Sequence, residues 1–189
     1  MSNSAYVRLA VLAIGAAFAI SAAAQTVKIG LINTYSGPMA SNGDQIQKAV
    51  DLYMKLNESK LPKGVKLEII KRDDTGINPE TAKRLAQELI VRDKVQILTG
   101  VVWTPNAAAI APLTAEAKVP FIIMNAGTAM LTTLSPYIAR TSFTLWQSSY
   151  PMGHWAAKKY KTAYVAVADL PAGTNTNSAS GFSSLMRCR

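Results

Sequence analysis

Two threonines are the first candidates for binding chemistry, because each closely follows a short apolar run. Thr104 comes after Val95–Thr99 and a brief loop, and Thr128 comes after Phe121–Met124. Such runs are typical of strands buried in a parallel sheet, and ligands of open α/β sheets bind beyond the carboxyl ends of the strands. Unpaired N–H groups at the following helix N-termini attract anions there. We therefore expect both threonines at one edge of a sheet; the alternative for Thr104 is that it caps the next helix.

The elements that would position these residues alternate between strand and helix. Asn78-Pro79-Glu80 is a strong helix start, with an Asn cap and Pro at the first helical position, and Asp44 is a candidate cap for an earlier helix. Helical periodicity gives that earlier helix an apolar face of Ile46, Ala49, Val50, Tyr53 and Met54, and gives a late helix one of Met152, Trp155, Ala156 and Tyr160. Other helices are predicted over Pro105–Ala117 and Ala129–Leu134. Strands are predicted at Val27–Ile32, Val65–Ile70, Val95–Thr99, Phe121–Met124, Ile138–Ser142 and Tyr164–Ala168.

This alternation predicts an α/β fold: a doubly wound parallel sheet with helices on both faces. We predict the strand order 2-1-3-4. The switch point would then lie between the first and third strands and bring the Tyr35–Gly43 loop against Val102–Asn106.

Composition narrows the class of protein. The chain is 49% hydrophobic and 16% charged, which suits a folded domain. Its net charge of +9 is spread without basic blocks or interleaved aromatics, so we predict a solvated basic surface and no nucleic-acid partner. Residues 1–24 are predicted to be a cleaved signal peptide, because Arg8 precedes Leu9–Ile20 and Ala22-Ala23-Ala24. That apolar stretch is shorter than the ~20 residues that span a bilayer. We predict export to the periplasm and no membrane span after cleavage.

The sequence offers few residues that could catalyse a reaction or bind a metal ion. His154, the single histidine, is predicted to lie on a helix surface, and the single cysteine, Cys188, excludes an internal disulfide. Asp73-Asp74 could bind a metal, but without nearby histidines or further acids we predict loop and capping roles. Ser36-Gly37-Pro38 lacks the Gly-Lys-Ser/Thr ending of a phosphate loop. We therefore predict no enzyme, no metal site and no cofactor.

After Asp169 the sequence loses its periodicity. Residues 170–189 form either a disordered tail or the non-native end of a truncated or frame-shifted product. We favour the second interpretation, because the predicted strand Tyr164–Ala168 should open another βαβ unit.

The motifs, taken together, resemble a known family. They are the leader, IGLINTYSGPMASNGDQIQKAVDLYMKLNE, Asp73-Asp74, Asn78-Pro79, TGVVWTPNAAAIAP and VPFIIMNAGT, in this order. Over about Thr26–Asp169 the chain is similar to the periplasmic substrate-binding proteins of branched-chain amino-acid-type ABC transporters, which have the type I periplasmic binding fold. The resemblance implies two Rossmann-like lobes closing on a ligand. Residues 25–145 would be the first lobe and 146–169 the start of a second that is largely missing.

The resemblance also implies site residues and partners. Thr104 and Thr128 would bind a carboxylate through hydroxyl and N–H groups, and Ala126 would accept a hydrogen bond from an ammonium through its carbonyl. Val102, Trp103 and Asn42 would line the pocket. Pro105 departs from the family in offering no N–H. Trp103 would either stack on an aromatic ligand or pack in the core.

We therefore predict a monomeric solute-binding component that delivers a small carboxylate-bearing ligand to the membrane permease of an ABC importer. The ligand stays open between an aliphatic amino acid and an aromatic or other small organic acid. A ligand-sensing domain of a receptor with the same fold is the alternative. With one lobe a ligand would stay half exposed, so this chain could be inactive.

Overall fold

Five parallel strands form a single sheet in the computed structural model, which describes residues 25–162. The strands are β1 (Gln25–Asn33), β2 (Val65–Asp73), β3 (Ile97–Gly100), β4 (Phe121–Ile123) and β5 (Ile138–Arg140). Their order across the sheet is β2-β1-β3-β4-β5, and each neighbouring pair is parallel. This confirms the predicted α/β class and the predicted 2-1-3-4 order, and adds β5 at the edge.

Four α-helices connect or follow the strands. They are α1 (Ala40–Asn57), α2 (Pro79–Val91), α3 (Thr104–Ala117) and α4 (Leu145–Lys159). Short 3₁₀ helices occur at Gly37–Met39, Glu58–Lys60 and Ala129–Thr133, the last where a short helix was predicted. No helix among residues 25–162 is long and apolar enough to cross a membrane.

The helix starts test the predicted caps. Asn78 caps α2 as predicted, because its side chain accepts a hydrogen bond from the Thr81 N–H at 3.0 Å. The prediction that Asp44 caps α1 is wrong. The helix begins at Ala40, and Asp44 lies within it as an exposed partner of Lys48. The turn at Gly37-Pro38 already starts a 3₁₀ helix, which leads into α1 before Asp44 is reached.

The main core lies between the sheet and the helices α2 and α3, which pack side by side on one of its faces. Right-handed crossovers place α1 on the opposite face. The core side chains come from the inward face of each element and include Ile32, Leu85, Leu89, Leu98, Ile110, Phe121 and Ile123. A core of large aliphatic side chains fixes the strand ends in place and therefore fixes the loops that follow them.

Two predicted apolar helix faces are only partly buried. In α1, Ile46, Val50 and Met54 are half-buried, but Ala49 is exposed and Tyr53 is 67% exposed. In α4, Ala156 is buried while the predicted Met152 and Trp155 are exposed, as is Tyr160 just beyond the helix. The predicted faces are therefore only partly right. The fully buried residues are Gly43 and Gln47 in α1, and Gly153 and Ala156 in α4, so the buried side of each helix is turned partly away from the predicted apolar side.

Three predictions fall outside the described residues. They are the signal peptide over 1–24, the strand at Tyr164–Ala168 and the altered tail at 170–189.

Candidate functional site: the carboxyl ends of the central strands

Thr104 and Thr128 meet at the carboxyl edge of the sheet. Thr104 is the first residue of α3, just after β3, and Thr128 ends the loop that follows β4. Their Oγ1 atoms lie 3.0 Å apart and form a hydrogen bond. Thr128 is 2% exposed and Thr104 is half-buried. The predicted closeness of these side chains is confirmed.

The alternative role for Thr104, a cap of the next helix, is wrong. The N-cap position of α3 is occupied by Trp103, and no side chain makes a capping hydrogen bond there. Thr104 is the first helical residue and Pro105 follows it, so the first turn offers one N–H group fewer than usual. The Thr104 hydroxyl instead bonds to Thr128.

A tight backbone turn directs the chain from β3 into this site. Gly100 and Val101 both have positive φ, at 104° and 64°. A side chain at Gly100 would collide with the backbone oxygen of Ile32, and the Val101 N–H donates to that same oxygen at 2.7 Å. A β-branched residue at positive φ is rare and is held only by its surroundings. The turn is therefore fixed by β1, and it sets where Val102, Trp103 and Thr104 emerge.

A buried polar network holds one side of the site. The Asp74 carboxylate is 0% exposed and accepts hydrogen bonds from Thr34 Oγ1 at 2.7 Å and Asn106 Nδ2 at 2.8 Å. A third bond comes from the Gly76 N–H at 3.2 Å. Thr34 Oγ1 in turn accepts the indole N–H of Trp103 at 3.0 Å. The orientation of Trp103 is thus linked through Thr34 to a buried carboxylate.

Both aspartates at the end of β2 have the loop roles that the sequence predicted. Burial alone would raise the pKa of Asp73, but hydrogen bonds from the backbone N–H groups of Tyr35 and Thr75 hold that pKa below its usual value. Among residues 25–162 no group of His, Cys, Asp and Glu is placed to hold a metal ion.

The remaining predicted site residues lie around the threonine pair in different ways. Val102 is buried, and Trp103 is half-buried, so part of its ring remains accessible. Ala126 is buried, and its N–H donates to Val101 at 3.1 Å, which ties the two loops together. Asn42 lies in the first turn of α1 rather than in the predicted loop, and no hydrogen bond in the described part of the chain joins it to Thr104 or Thr128.

Arg140 is a neighbour of this site that the sequence analysis did not single out. It ends β5, and its Nη1 donates to the carbonyl oxygens of Thr128 at 2.8 Å and Ala126 at 3.3 Å. Burial lowers the pKa of its guanidinium. The signal available in the sequence was a cation within the predicted strand Ile138–Ser142, because a charged side chain held in a sheet rarely lacks a polar partner.

A separate open cleft lies beside β2. Its volume is about 450 Å³, and it is lined by Tyr35, Asp44, Gln47, Lys71, Arg72 and Asp73. Burial raises the pKa of Tyr35, whose hydroxyl donates to Gln47 Oε1 at 3.1 Å. The lining of this cleft carries charges of both signs, so its charge favours neither anionic nor cationic ligands.

Comparison with known proteins identifies the family. Residues 26–181 match the family model described as "Periplasmic binding protein". The chain belongs to the periplasmic binding protein family. The Leu/Ile/Val-binding protein homolog 6 of Brucella abortus (strain 2308) is 37% identical over 174 residues, which are 92% of this chain and 44% of the relative.

Solved structures of periplasmic binding proteins resemble this one closely. An ABC-transporter solute-binding protein from Rhodopseudomonas palustris BisB5, in complex with 3,4-dihydroxybenzoic acid, is 46% identical with a TM-score of 0.76. A solute-binding protein from Rhodopseudomonas palustris HaA2, in complex with p-hydroxybenzoic acid, is 40% identical with a TM-score of 0.77. Both matches cover 86% of this chain and 44% of the other.

These matches confirm the predicted resemblance and the type I periplasmic binding fold. The family consists of substrate-binding proteins of ABC transporters rather than enzymes, as the sequence analysis predicted. This chain spans less than half the length of these relatives.

Proposed function

We propose that this chain forms one lobe of the extracytoplasmic solute-binding component of an ABC importer, which captures a small carboxylate-bearing ligand and delivers it to a membrane permease. The hydrogen-bonded Thr104 and Thr128 hydroxyls at the strand ends carry this proposal. A carboxylate reaching this edge would exchange the threonine–threonine bond for charge-assisted bonds, which are shorter and stronger than neutral ones. The N–H groups of the first turn of α3 would add to the attraction.

The ligand class we propose is an aromatic carboxylate without an amino group. Trp103 offers a flat, partly accessible ring beside Thr104, and aromatic rings stack favourably in an offset arrangement. The Ala126 carbonyl, which an amino acid's ammonium would need, already accepts a bond from the Arg140 guanidinium. The hydroxybenzoic acids held by the Rhodopseudomonas proteins support the same class. A branched-chain amino acid, suggested by the name of the Brucella relative, is the competing ligand.

Capture would take place outside the cytoplasm. The predicted signal peptide over residues 1–24 would export the chain, and the family name places related proteins in the periplasm. Closure of two lobes about a hinge would bury the ligand and stabilise the closed state. Residues 25–162 supply one side of such a cleft. We expect this lobe, taken by itself, to bind with a dissociation constant on the order of 1 mM, because a ligand on one side alone stays partly exposed.

The test is a titration of the isotope-labelled mature chain, residues 25–189, followed by NMR. We expect 4-hydroxybenzoate to shift the backbone amide signals of Thr104 and Thr128, and leucine to shift them at higher concentration only. Thr104→Val and Thr128→Val should each weaken 4-hydroxybenzoate binding by about tenfold or more, the cost of losing one hydrogen bond to a charged group.

Thr133→Val is the matched control. Thr133 is exposed, and its hydroxyl donates within its own 3₁₀ turn to Met130, so this variant should bind like the wild type. Unchanged affinity in both Thr104→Val and Thr128→Val would remove the pair from the site. Tighter binding of leucine than of 4-hydroxybenzoate would refute the proposed ligand class.

A further inference from the structure

Arg140 occupies an unusual position among the cations of the described chain. It lies at the end of the edge strand β5, opposite Ile123 of β4. Its guanidinium bonds to carbonyl oxygens of the loop that carries Thr128, at 2.8 Å to Thr128 and 3.3 Å to Ala126. The Thr128 hydroxyl in turn contacts Thr104. One residue, Thr128, therefore separates this cation from the predicted carboxylate position.

No carboxylate of the described residues neutralises this charge. The ion pairs found between residues 25 and 162 involve Lys48, Arg72, Arg84 and Arg92 as cations, and none includes Arg140. Its Nη2 and Nε atoms also make no hydrogen bond within that part of the chain. Arg140 is half-buried, so its charge is only partly hydrated, and a partly desolvated cation without a counter-charge carries some cost. The lowered pKa of Arg140 reflects that burial, although an arginine remains charged at neutral pH.

An anion bound at the threonine pair would reduce this cost, and a cation bound there would increase it. Amino acids are zwitterions, so attraction of their carboxylate by Arg140 would be offset by repulsion of their ammonium. The repulsion would be strongest at the Ala126 carbonyl, which the guanidinium already contacts. A carboxylate without an amino group gains the attraction alone.

We propose that Arg140 is a specificity-determining residue. It fixes the 126–128 loop through two carbonyl groups, and it selects an amine-free carboxylate through a charge that no carboxylate of residues 25–162 neutralises. This inference rests on the proposed function and deepens it by assigning the choice of ligand charge to one residue. Arg140 acts through Thr128 and through its electric field, so it is a positioning residue.

The experiment compares 4-hydroxybenzoate with its neutral analogue 4-hydroxybenzamide, using NMR titration of the mature chain. We expect the wild type to prefer the benzoate by at least about tenfold, which corresponds to about 1.4 kcal/mol. In Arg140→Gln this preference should fall to about twofold or less, because loss of the charge weakens benzoate binding more than benzamide binding. Arg140→Lys keeps the charge and should keep most of the preference.

The matched control is Arg84→Gln, which makes the same charge change on α2, where Arg84 is paired with Glu88. It should leave the preference unchanged. Equal weakening of both ligands in Arg140→Gln would overturn the charge role, because an arginine that only shapes the loop affects both alike. Equal binding of benzoate and benzamide by the wild type would also overturn the charge role. That measurement needs no variant, so the test stays decisive even if Arg140→Gln does not fold.

The loop role is measured without ligand. The Ala126 N–H donates to Val101, and we expect its hydrogen exchange to accelerate by about tenfold in both Arg140 variants relative to Arg84→Gln. Unchanged exchange would overturn the loop role. If the wild type binds neither ligand, the proposed function fails for this chain and the charge role fails with it, while the exchange result still decides the loop role.

Discussion

Replacing Asp74 with Asn tests whether a buried carboxylate holds one side of the site together. Asp74 accepts hydrogen bonds from Thr34, Asn106 and Gly76 on its two oxygens. In Asp74→Asn one oxygen remains for Thr34 and Gly76, but the new NH₂ group faces the NH₂ group of Asn106. One charge-assisted bond is lost, and the remaining two lose their charge.

Each hydrogen bond to a charged group contributes about 1.5 to 3 kcal/mol, so we expect the free energy of unfolding to fall by about 3 kcal/mol. For a chain of this size that corresponds to a decrease in melting temperature of roughly 6 to 12 °C. Urea unfolding followed by circular dichroism measures the first quantity, and a thermal scan measures the second. This fall in the free energy of unfolding should be several times larger than the fall caused by removing an exposed carboxylate.

The control is Asp44→Asn, which removes an exposed carboxylate paired with Lys48 on α1. Exposed pairs of this kind contribute about 0 to 1 kcal/mol, so the variant should be nearly as stable as the wild type. If Asp74→Asn is as stable as Asp44→Asn, the reasoning is refuted. Desolvation of the carboxylate would then cost as much as its three hydrogen bonds return.

Two further predictions concern the loops at the same edge. Gly100→Ala should lower the free energy of unfolding by more than about 2 kcal/mol, because it combines positive φ with a collision against Ile32. Gly64→Ala, with positive φ and open space around it, should cost only about 1 kcal/mol, and equal costs would refute the steric argument. Asp73 has a lowered pKa in the folded state, so its contribution to stability is present above its unfolded pKa of about 3.9 and is lost as pH falls through the folded value. The difference in unfolding free energy between Asp73→Asn and the wild type should therefore shrink between pH 6 and acidic pH, and a constant difference would contradict the linkage.

The strands and their order followed from the sequence because both depend on short-range signals. Apolar runs bounded by turn residues mark the strands, and right-handed crossovers leave few possible orders. The closeness of Thr104 and Thr128 followed in turn, because the carboxyl ends of parallel strands share one edge. These arguments require no knowledge of which side chains touch.

The supporting contacts could not be predicted in the same way. Asp74 is bonded by Thr34, which follows β1, and by Asn106, which lies in the first turn of α3, and nothing in the local sequence pairs them. Arg140 bonds to backbone carbonyl groups. Every residue carries such a group, so the residue types in the sequence do not show which ones Arg140 contacts. Tertiary proximity decides both sets of contacts.

The two supporting devices act on opposite sides of the site. Asp74 fixes Trp103 through Thr34, on the side formed by β1, β2 and α3. Arg140 fixes the loop after β4, on the side that carries Thr128. The bond between Thr104 and Thr128 joins the two sides. A ligand entering here would meet donors whose positions are already set, so less of its binding energy would be spent on ordering the loops. The Trp103 ring, which we propose to meet a ligand's body, and the Arg140 charge, which we propose to favour its acid group, are therefore held by separate sets of contacts.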